Sequence, residues 1–427
     1  MEYKNAWISL GGFGIGRKRF FKMKAGVLYI SYDGMLEPLG QSQVLAYLKP
    51  LSADRPIHLI SFEKAEDWSD SAEVRRIGDE LAAAGLVWHP LPYHKRPSAL
   101  ATAWDIGAGS ILGLWLIVRH RLQLVHARSY VAAVMALLLQ RLTGSKFLFD
   151  MRGFWADERV DGGIWARDSR MYRIAKGFER LFLLAADHVV SLTHAAAEEI
   201  RHFDYLRDAM PAITVIPTCA DLSRFKPMAD ESEVDGIVLG YVGSAGTWYL
   251  FDETLACFKR LLSLRPDARL LIVNRGEHVY IRERLAACGL ADAPIELVSA
   301  SHAEIPRLMA RMDAGVFFIK PVFSKQASAP TKLAEFLGCG IPCLGNSGVG
   351  DMAEILESEA VGIAVSSFDE TAMTQALERL LALVADSSTR QRCVKAAQSH
   401  FSLAVGVEGY REIYQKQIGR ASCRERV

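Results

Sequence analysis

Gly315-Val316-Phe317-Phe318-Ile319-Lys320-Pro321, then Ser328-Ala329-Pro330-Thr331-Lys332-Leu333-Ala334-Glu335, then Gly338-Cys339-Gly340-Ile341-Pro342 and Cys343-Leu344-Gly345, read as strand, loop, helix and strand. Pro330 suits the first helical position, where its missing N–H costs nothing. The helix start offers unpaired backbone N–H groups and the positive end of a dipole, a seat for phosphate. Lys332 adds a full positive charge in the first turn. Glu335 stands at i+4 from Thr331, so both can face one ligand. A carboxylate repels phosphate but suits vicinal hydroxyls. Phosphate at one end and polyol at the other describes a nucleotide diphosphate-sugar. The bland alternative is a helix start that holds only water.

Working outward, the second half alternates strands and helices. Strands read at Ile237–Val242, Ala268–Val273, Glu296–Val298, Gly315–Phe318, Cys343–Gly345 and Ile363–Val365. The first half does the same, with strands at Gly26–Ile30, Ile57–Ser61, Leu124–His126, Lys146–Asp150, His188–Leu192 and Thr214–Ile216. Strands separated by helical crossovers imply parallel sheets covered on both faces. The fold class is therefore α/β, with two doubly wound, Rossmann-like domains facing across a cleft. Residues 1–22 read as an over-extended, poorly ordered start and 23–220 as the first domain. A linker follows at 221–236, then the second domain at 237–387 and a C-terminal helical segment at 388–417. Residues 418–427 read as a translated sequencing adapter, excluded from fold reasoning. Ligands of such sheets bind outside the carboxyl ends of the strands.

Net charge is +1 over 427 residues, which gives no electrostatic footprint for nucleic acid. The seven scattered cysteines suit a reducing cytoplasm and no zinc site. The apolar run Ile106–Val118 is too short to span a bilayer and reads as a buried helix. No secretory signal is evident.

Chemistry concentrates after strands. The loop from Ser31 to Gln43 holds Asp33, and Gly40 opens a helix whose N–H groups would approach a diphosphate. His126 and Arg128 alternate onto one side of a strand's carboxyl end. Asp150, Arg152, Asp157 and Glu158 crowd the loop after the next strand, beyond what core packing needs. In the second half, Gly243-Ser244-Ala245-Gly246-Thr247-Trp248-Tyr249 lets backbone amides approach phosphate. Lys320, Lys325 and Lys332 supply positive charge near it. Neither this loop nor Gly11–Gly16 carries the dinucleotide fingerprint.

Over about Met23–Gln417 the chain resembles the retaining family 4 glycosyltransferases of the GT-B fold. The resemblance rests on Tyr32-Asp33-Gly34-Met35 with Leu39-Gly40-Gln41-Ser42-Gln43, His126-Ala127-Arg128-Ser129-Tyr130, Asp150-Met151-Arg152-Gly153-Phe154-Trp155, Ser328–Glu335 and Gly348-Val349-Gly350-Asp351. It implies sugar transfer from a nucleotide diphosphate-sugar with anomeric retention. It implies donor binding by the second domain, acceptor binding by the first, and a C-terminal helix crossing back. In that reading Gly40, Gly243, Ser244, Lys320, Lys325, Thr331, Lys332 and Glu335 hold the donor. Asp33, Arg152, Asp157 and Glu158 meet the acceptor, and His126, Arg128, Asp150 and Lys332 serve catalysis. UDP- or GDP-sugar is the expected co-substrate, with no cofactor or metal, since no Asp-x-Asp occurs.

Three positions depart from the family. Ala327 stands where a first glutamate is usual, Arg128 where many members have a second histidine, and Gly243–Tyr249 lacks the usual Arg and Lys. The acceptor is expected to be a glycan or lipid-linked sugar of bacterial surface polysaccharide synthesis. Arg96, Arg119 and Arg121 would touch an anionic membrane, making the protein cytoplasmic and peripheral. Competing readings are a nucleotide-sugar 2-epimerase, a non-catalytic nucleotide-sugar-binding partner of an assembly complex, and a dinucleotide-dependent oxidoreductase.

Overall fold

The computed structural model describes residues 25–96, 98–228, 236–301 and 303–424. The expectations for residues 1–22, including Gly11–Gly16, and for residues 229–235 of the linker lie outside the described residues.

Two all-parallel sheets form the frame. The first contains β1 (Gly26–Ser31), β2 (Ile57–Glu63), β3 (Leu86–Pro92), β4 (Leu122–Arg128), β5 (Lys146–Asp150), β6 (His188–Ser191) and β7 (Ala212–Val215). Their order is β3-β2-β1-β4-β5-β6-β7. The second contains β8 (Val238–Val242), β9 (Arg269–Val273), β10 (Ile295–Val298), β11 (Ala314–Val316), β12 (Cys343–Asn346) and β13 (Gly362–Val365). Their order is β10-β9-β8-β11-β12-β13. The chain thus reverses direction across each sheet between β1 and β4, and between β8 and β11. Helices on both faces make the strands near-continuous apolar runs, buried throughout in β1, β2, β8 and β12. The reversal leaves a crevice at the carboxyl ends of β1 and β4, and of β8 and β11.

β3 has no counterpart in the expected strands. It is an edge strand carrying Pro90 and Pro92, and proline erodes the strand signal while being tolerated at an edge.

The apolar run is corrected more deeply. It belongs to a helix, Ser98–His120, that is not buried. Leu100, Trp104, Ile111, Trp115 and Val118 are each more than half exposed. Only a third of its most apolar window is covered, although length and composition would let it cross a membrane. Its inward stripe is built of small groups. A Cβ at Gly109 would lie 2.6 Å from Met135 Sδ, and one at Gly113 would lie 2.8 Å from Leu139. Those glycines let the helix lie close on the neighbouring Ser129–Thr143 helix.

The C-terminal segment divides its contacts. The Thr389–Phe401 helix packs on the Thr331–Gly338 helix of the second sheet. The Leu403–Arg424 helix crosses to the first sheet and packs on β4, β5 and the Ala46–Ser52 helix. It runs into the stretch read as adapter-derived, and Ile418 is buried there.

Candidate active site

The Thr331–Gly338 helix points its N-terminus at the gap between the sheets. Pro330 occupies the capping position, one residue earlier than expected, and no side chain caps the helix. The orphan N–H groups of its first turn therefore face a pocket of about 270 Å³. Arg152 and Leu192 line the pocket from the first sheet. Trp248, Tyr249, Ile319, Lys325, Ala327 and Thr331 line it from the second. A second pocket of about 280 Å³ lies behind the same Ser328–Pro330 segment, but Asp351 and Glu354 line it and no Lys or Arg does. Only the first suits a diphosphate.

Backbone strain gathers at this crevice. Arg152 (φ 59°), Ser129 (φ 69°) and Thr247 (φ 56°) hold left-handed conformations without being glycine. Each follows the carboxyl end of β5, β4 or β8. Such conformations cost about 1–3 kcal/mol and persist where surrounding structure enforces them.

Lys332 and Glu335 sit one layer deeper. The Lys332 ammonium is caged by the rings of Tyr249, Tyr241 and Phe317 at 3.6, 4.9 and 5.6 Å. Nζ is buried without a hydrogen-bond partner. A Cβ at Gly243 would lie 3.2 Å from it, and the φ of 103° there also requires glycine. Burial pushes the Lys332 ammonium down to about 7, against the pull of Glu335. Burial likewise pushes the Glu335 carboxyl up to about 7, against Lys332. Burial therefore leaves Lys332 only partly charged at neutral pH, beneath the Gly243–Tyr249 loop. A diphosphate bound above it would restore the full charge. Donor binding is therefore expected to take up roughly one proton near pH 8, with affinity falling as pH rises above 7. Calorimetric titration in buffers of unlike ionisation enthalpy reads this directly; proton release would overturn it.

The amides expected to hold phosphate after β8 are occupied. Glu277 accepts from Ala245 N (2.8 Å), Gly246 N (3.2 Å) and Ser244 Oγ (3.0 Å), and Asn274 holds it in turn at 2.8 Å. The Ser244 assignment is corrected on that ground. Gly40 is corrected too. The helix there starts at Pro38, and a Cβ at Gly40 would lie 2.0 Å from Gly34 O, so its close approach is to its own loop. The Met35 and Leu36 N–H groups of that loop donate to Glu63 at 2.9 and 3.1 Å.

Lys320 is exposed and does not line the pocket. Lys325 does line it, lying 3.8 Å over the Trp248 ring and paired at 2.6 Å with Glu158 of the other sheet. Glu158 is thus a tie between the domains rather than a free acceptor contact. Three more ties accompany it. Ser324 N donates to Asp161 at 2.9 Å, Thr193 Oγ1 donates to Gln326 O at 2.6 Å, and Asp351 accepts from His194 N and Ala195 N. Asp157 is buried, accepting from Tyr172 at 2.7 Å and Lys176 at 2.9 Å, which removes it from the acceptor set.

Behind Arg152 runs a buried polar chain. His126 is 1 % exposed, hydrogen-bonded through Nδ1 to Tyr414 Oη at 2.7 Å and packed on Tyr29. Asp150 Oδ2 lies 3.6 Å from His126 Nε2 and accepts from Tyr410 at 3.0 Å. Arg152 approaches Asp150 Oδ1 at 3.9 Å. Burial alone would raise the Asp150 carboxyl, but Arg152 first, then His126, hold it below the usual range. Burial lowers His126, which Asp150 only partly offsets, so its ring is neutral at pH 7. His126 and Asp150 thus lie buried behind Arg152, and Asp150 supplies its counter-charge. Arg128 is buried, paired with Asp33 at the β1–β4 crevice. Tyr410, Tyr414, Glu63 and Glu277 were invisible as site residues, being single residues in unremarkable helical or loop contexts. Ala327 is 3 % exposed, packing on the first sheet's core at the edge of the pocket, so no carboxylate stands where the family's first glutamate is usual.

The glycosyl transferase 4-like domain family matches residues 56–218, and the glycosyl transferases group 1 family matches residues 236–383. The chain is a GT-B glycosyltransferase of the GT4-like type. No curated protein matches its sequence. Sucrose-phosphate synthase from Thermosynechococcus elongatus superimposes with a TM-score of 0.71 at 15% identity, covering 93% of this glycosyltransferase and 100% of that chain. A glycosyltransferase from Rickettsia africae gives 0.67 at 15%, covering 92% and 99%. Anabaena HepE, solved in complex with UDP and glucose, gives 0.62 at 16%, covering 92% and 100%. At these identities the likeness carries the fold.

Proposed function

We propose that this glycosyltransferase moves a hexose from a UDP- or GDP-linked donor to a glycan or lipid-linked acceptor, with retention, on the cytoplasmic side of bacterial surface polysaccharide synthesis. The observation that carries the reading is the uncapped Thr331–Gly338 helix, opening on a pocket that joins Arg152 and Lys325, with Lys332 and Glu335 buried beneath. The helix dipole and these cations stabilise charge on the departing diphosphate as the glycosidic bond breaks. Its oxygen is the base nearest the acceptor hydroxyl, which attacks from the same face. Glu335 bonds donor hydroxyls. No metal or cofactor is needed, the nucleotide-sugar being a co-substrate.

A thermal-shift panel of UDP-, GDP-, ADP- and dTDP-sugars tests this, since bound donor stabilises by about 2.7 kcal/mol at a hundredfold excess over Kd. One base class is expected to raise the midpoint, and the product's anomeric proton signal is expected to match the donor's. A panel with no shift would remove the donor site. The buried Ala327 supports a second reading, a non-catalytic nucleotide-sugar-binding partner. It predicts a shift with no transfer to any acceptor, whereas a 2-epimerase would interconvert donor alone.

A further inference from the structure

Three helices lie side by side on the outer face of the first sheet: Ser98–His120, Ser129–Thr143 and Arg170–Ala185. Their outward side chains share one character. Leu100, Trp104, Ile111, Trp115 and Val118 stand out on the first helix, and Leu138 and Leu142 on the second. Met171, Ile174, Phe178, Leu181 and Leu184 stand out on the third. Apolar surface of this extent exceeds what scattered exposure explains and marks an interaction site.

The charges decide what it meets. The three helices contain two carboxylates, Asp105 and Glu179, and both are 0% exposed. Asp105 is turned inward to Tyr32 Oη and His94, and Glu179 to Tyr130 and Lys176. Every exposed charge on them is an arginine: Arg119, Arg141, Arg170, Arg173 and Arg180. An apolar surface studded with arginine and stripped of carboxylate complements anionic headgroups over acyl chains. A second copy docked face to face would instead oppose arginine to arginine.

We propose that this face seats the protein on an anionic bilayer, Trp104, Ile111 and Trp115 entering the interface and Arg170 and Arg173 meeting phosphates. Helices in such folds run antiparallel to the strands, so this face reaches the carboxyl-end crevice. The Tyr32–Asp105 bond joins the first helix to the loop after β1 that carries Asp33. A lipid-linked acceptor would thus arrive at the cleft from the membrane plane. That delivery role rests on the proposed transfer reaction; the docking does not.

Co-sedimentation of the full chain with vesicles tests it. Binding to mixed phosphatidylcholine–phosphatidylglycerol vesicles is expected, with little to phosphatidylcholine alone, and with a decline as salt rises. Trp104→Ser with Ile111→Ser should weaken partition ~tenfold or more. Arg170→Gln and Arg173→Gln should each weaken it about fivefold. Both sets alter exposed groups, and each variant should keep the wild-type thermal shift with nucleotide-sugar, which separates docking from donor binding. Equal binding to both vesicle types, no binding, or self-association abolished by Trp104→Ser would overturn the proposal.

Discussion

Lys332→Ala is expected to lower turnover by about 10²-fold or more. The reason is where the ammonium sits. It lies beneath Gly243 and Tyr249, beside the helix N-terminus that faces the cationic pocket, with no hydrogen-bond partner of its own. A buried cation without a partner is expensive. Three aromatic rings at 3.6–5.6 Å offset part of that cost, but burial still pushes the ammonium down to about 7. Charge developing on a departing diphosphate completes what the cage leaves unsatisfied, so the interaction strengthens along the reaction coordinate. Lys332→Met separates this from packing. It keeps most of the volume and apolar contact, so packing is preserved while the charge is lost, and kcat should fall as in Lys332→Ala. It should also abolish proton uptake on donor binding. Unchanged turnover in Lys332→Met would reject the role and leave Lys332 as a core group.

The frame was legible because parallel strands buried on both faces write continuous apolar runs, and twelve of the thirteen strands among the described residues were read that way. β3 was lost to its own prolines. The donor helix was legible for a local reason: Pro330, Thr331, Lys332 and Glu335 sit within six residues. What failed was long-range. Nothing near Ser244 announces that Glu277, thirty-three positions on, fills its amides. Nothing near His126 announces Tyr414, 288 positions on, which hydrogen-bonds its Nδ1. Charged residues after strands were read as site groups, and several proved to be partners of one another: Lys325 with Glu158, Arg128 with Asp33, Asp157 with Lys176. Burial also misled in the other direction. Hydropathy placed the Ser98–His120 helix inside, because composition alone cannot distinguish a helix facing a core from one facing a membrane.

Arg152→Ala is expected to cost about 3–5 kcal/mol of stability at neutral pH, because it leaves the Asp150 carboxylate buried without its main counter-charge. Asp150 is 2 % exposed and keeps the Tyr410 bond, a neutral His126 and the weaker pull of Arg128. The pH dependence distinguishes this from a simple loss of packing. In the native chain the folded Asp150 pKa is depressed below its ordinary 3.8, so its contribution is present above pH 3.8 and lost as pH falls through the folded value. Without Arg152 the cost of burying the charge stands less opposed and the folded pKa moves upward. An acid raised on folding loses stability as pH rises, so the variant's deficit should be largest at neutral pH and shrink toward pH 4. Urea unfolding at both pH values measures it, and Asp150→Asn with Arg152→Met should recover much of the loss by removing both charges together. A deficit equal at the two pH values would show that Arg152 contributes shape, not charge. Because Arg152 also lines the donor pocket, the same substitution removes a pocket cation, while the φ of 59° stays as demanding for alanine or methionine as for arginine. The double variant, restored in stability, should therefore remain deficient in transfer, which separates the anchoring of Arg152 by Asp150 and His126 from the work Arg152 does in the cleft.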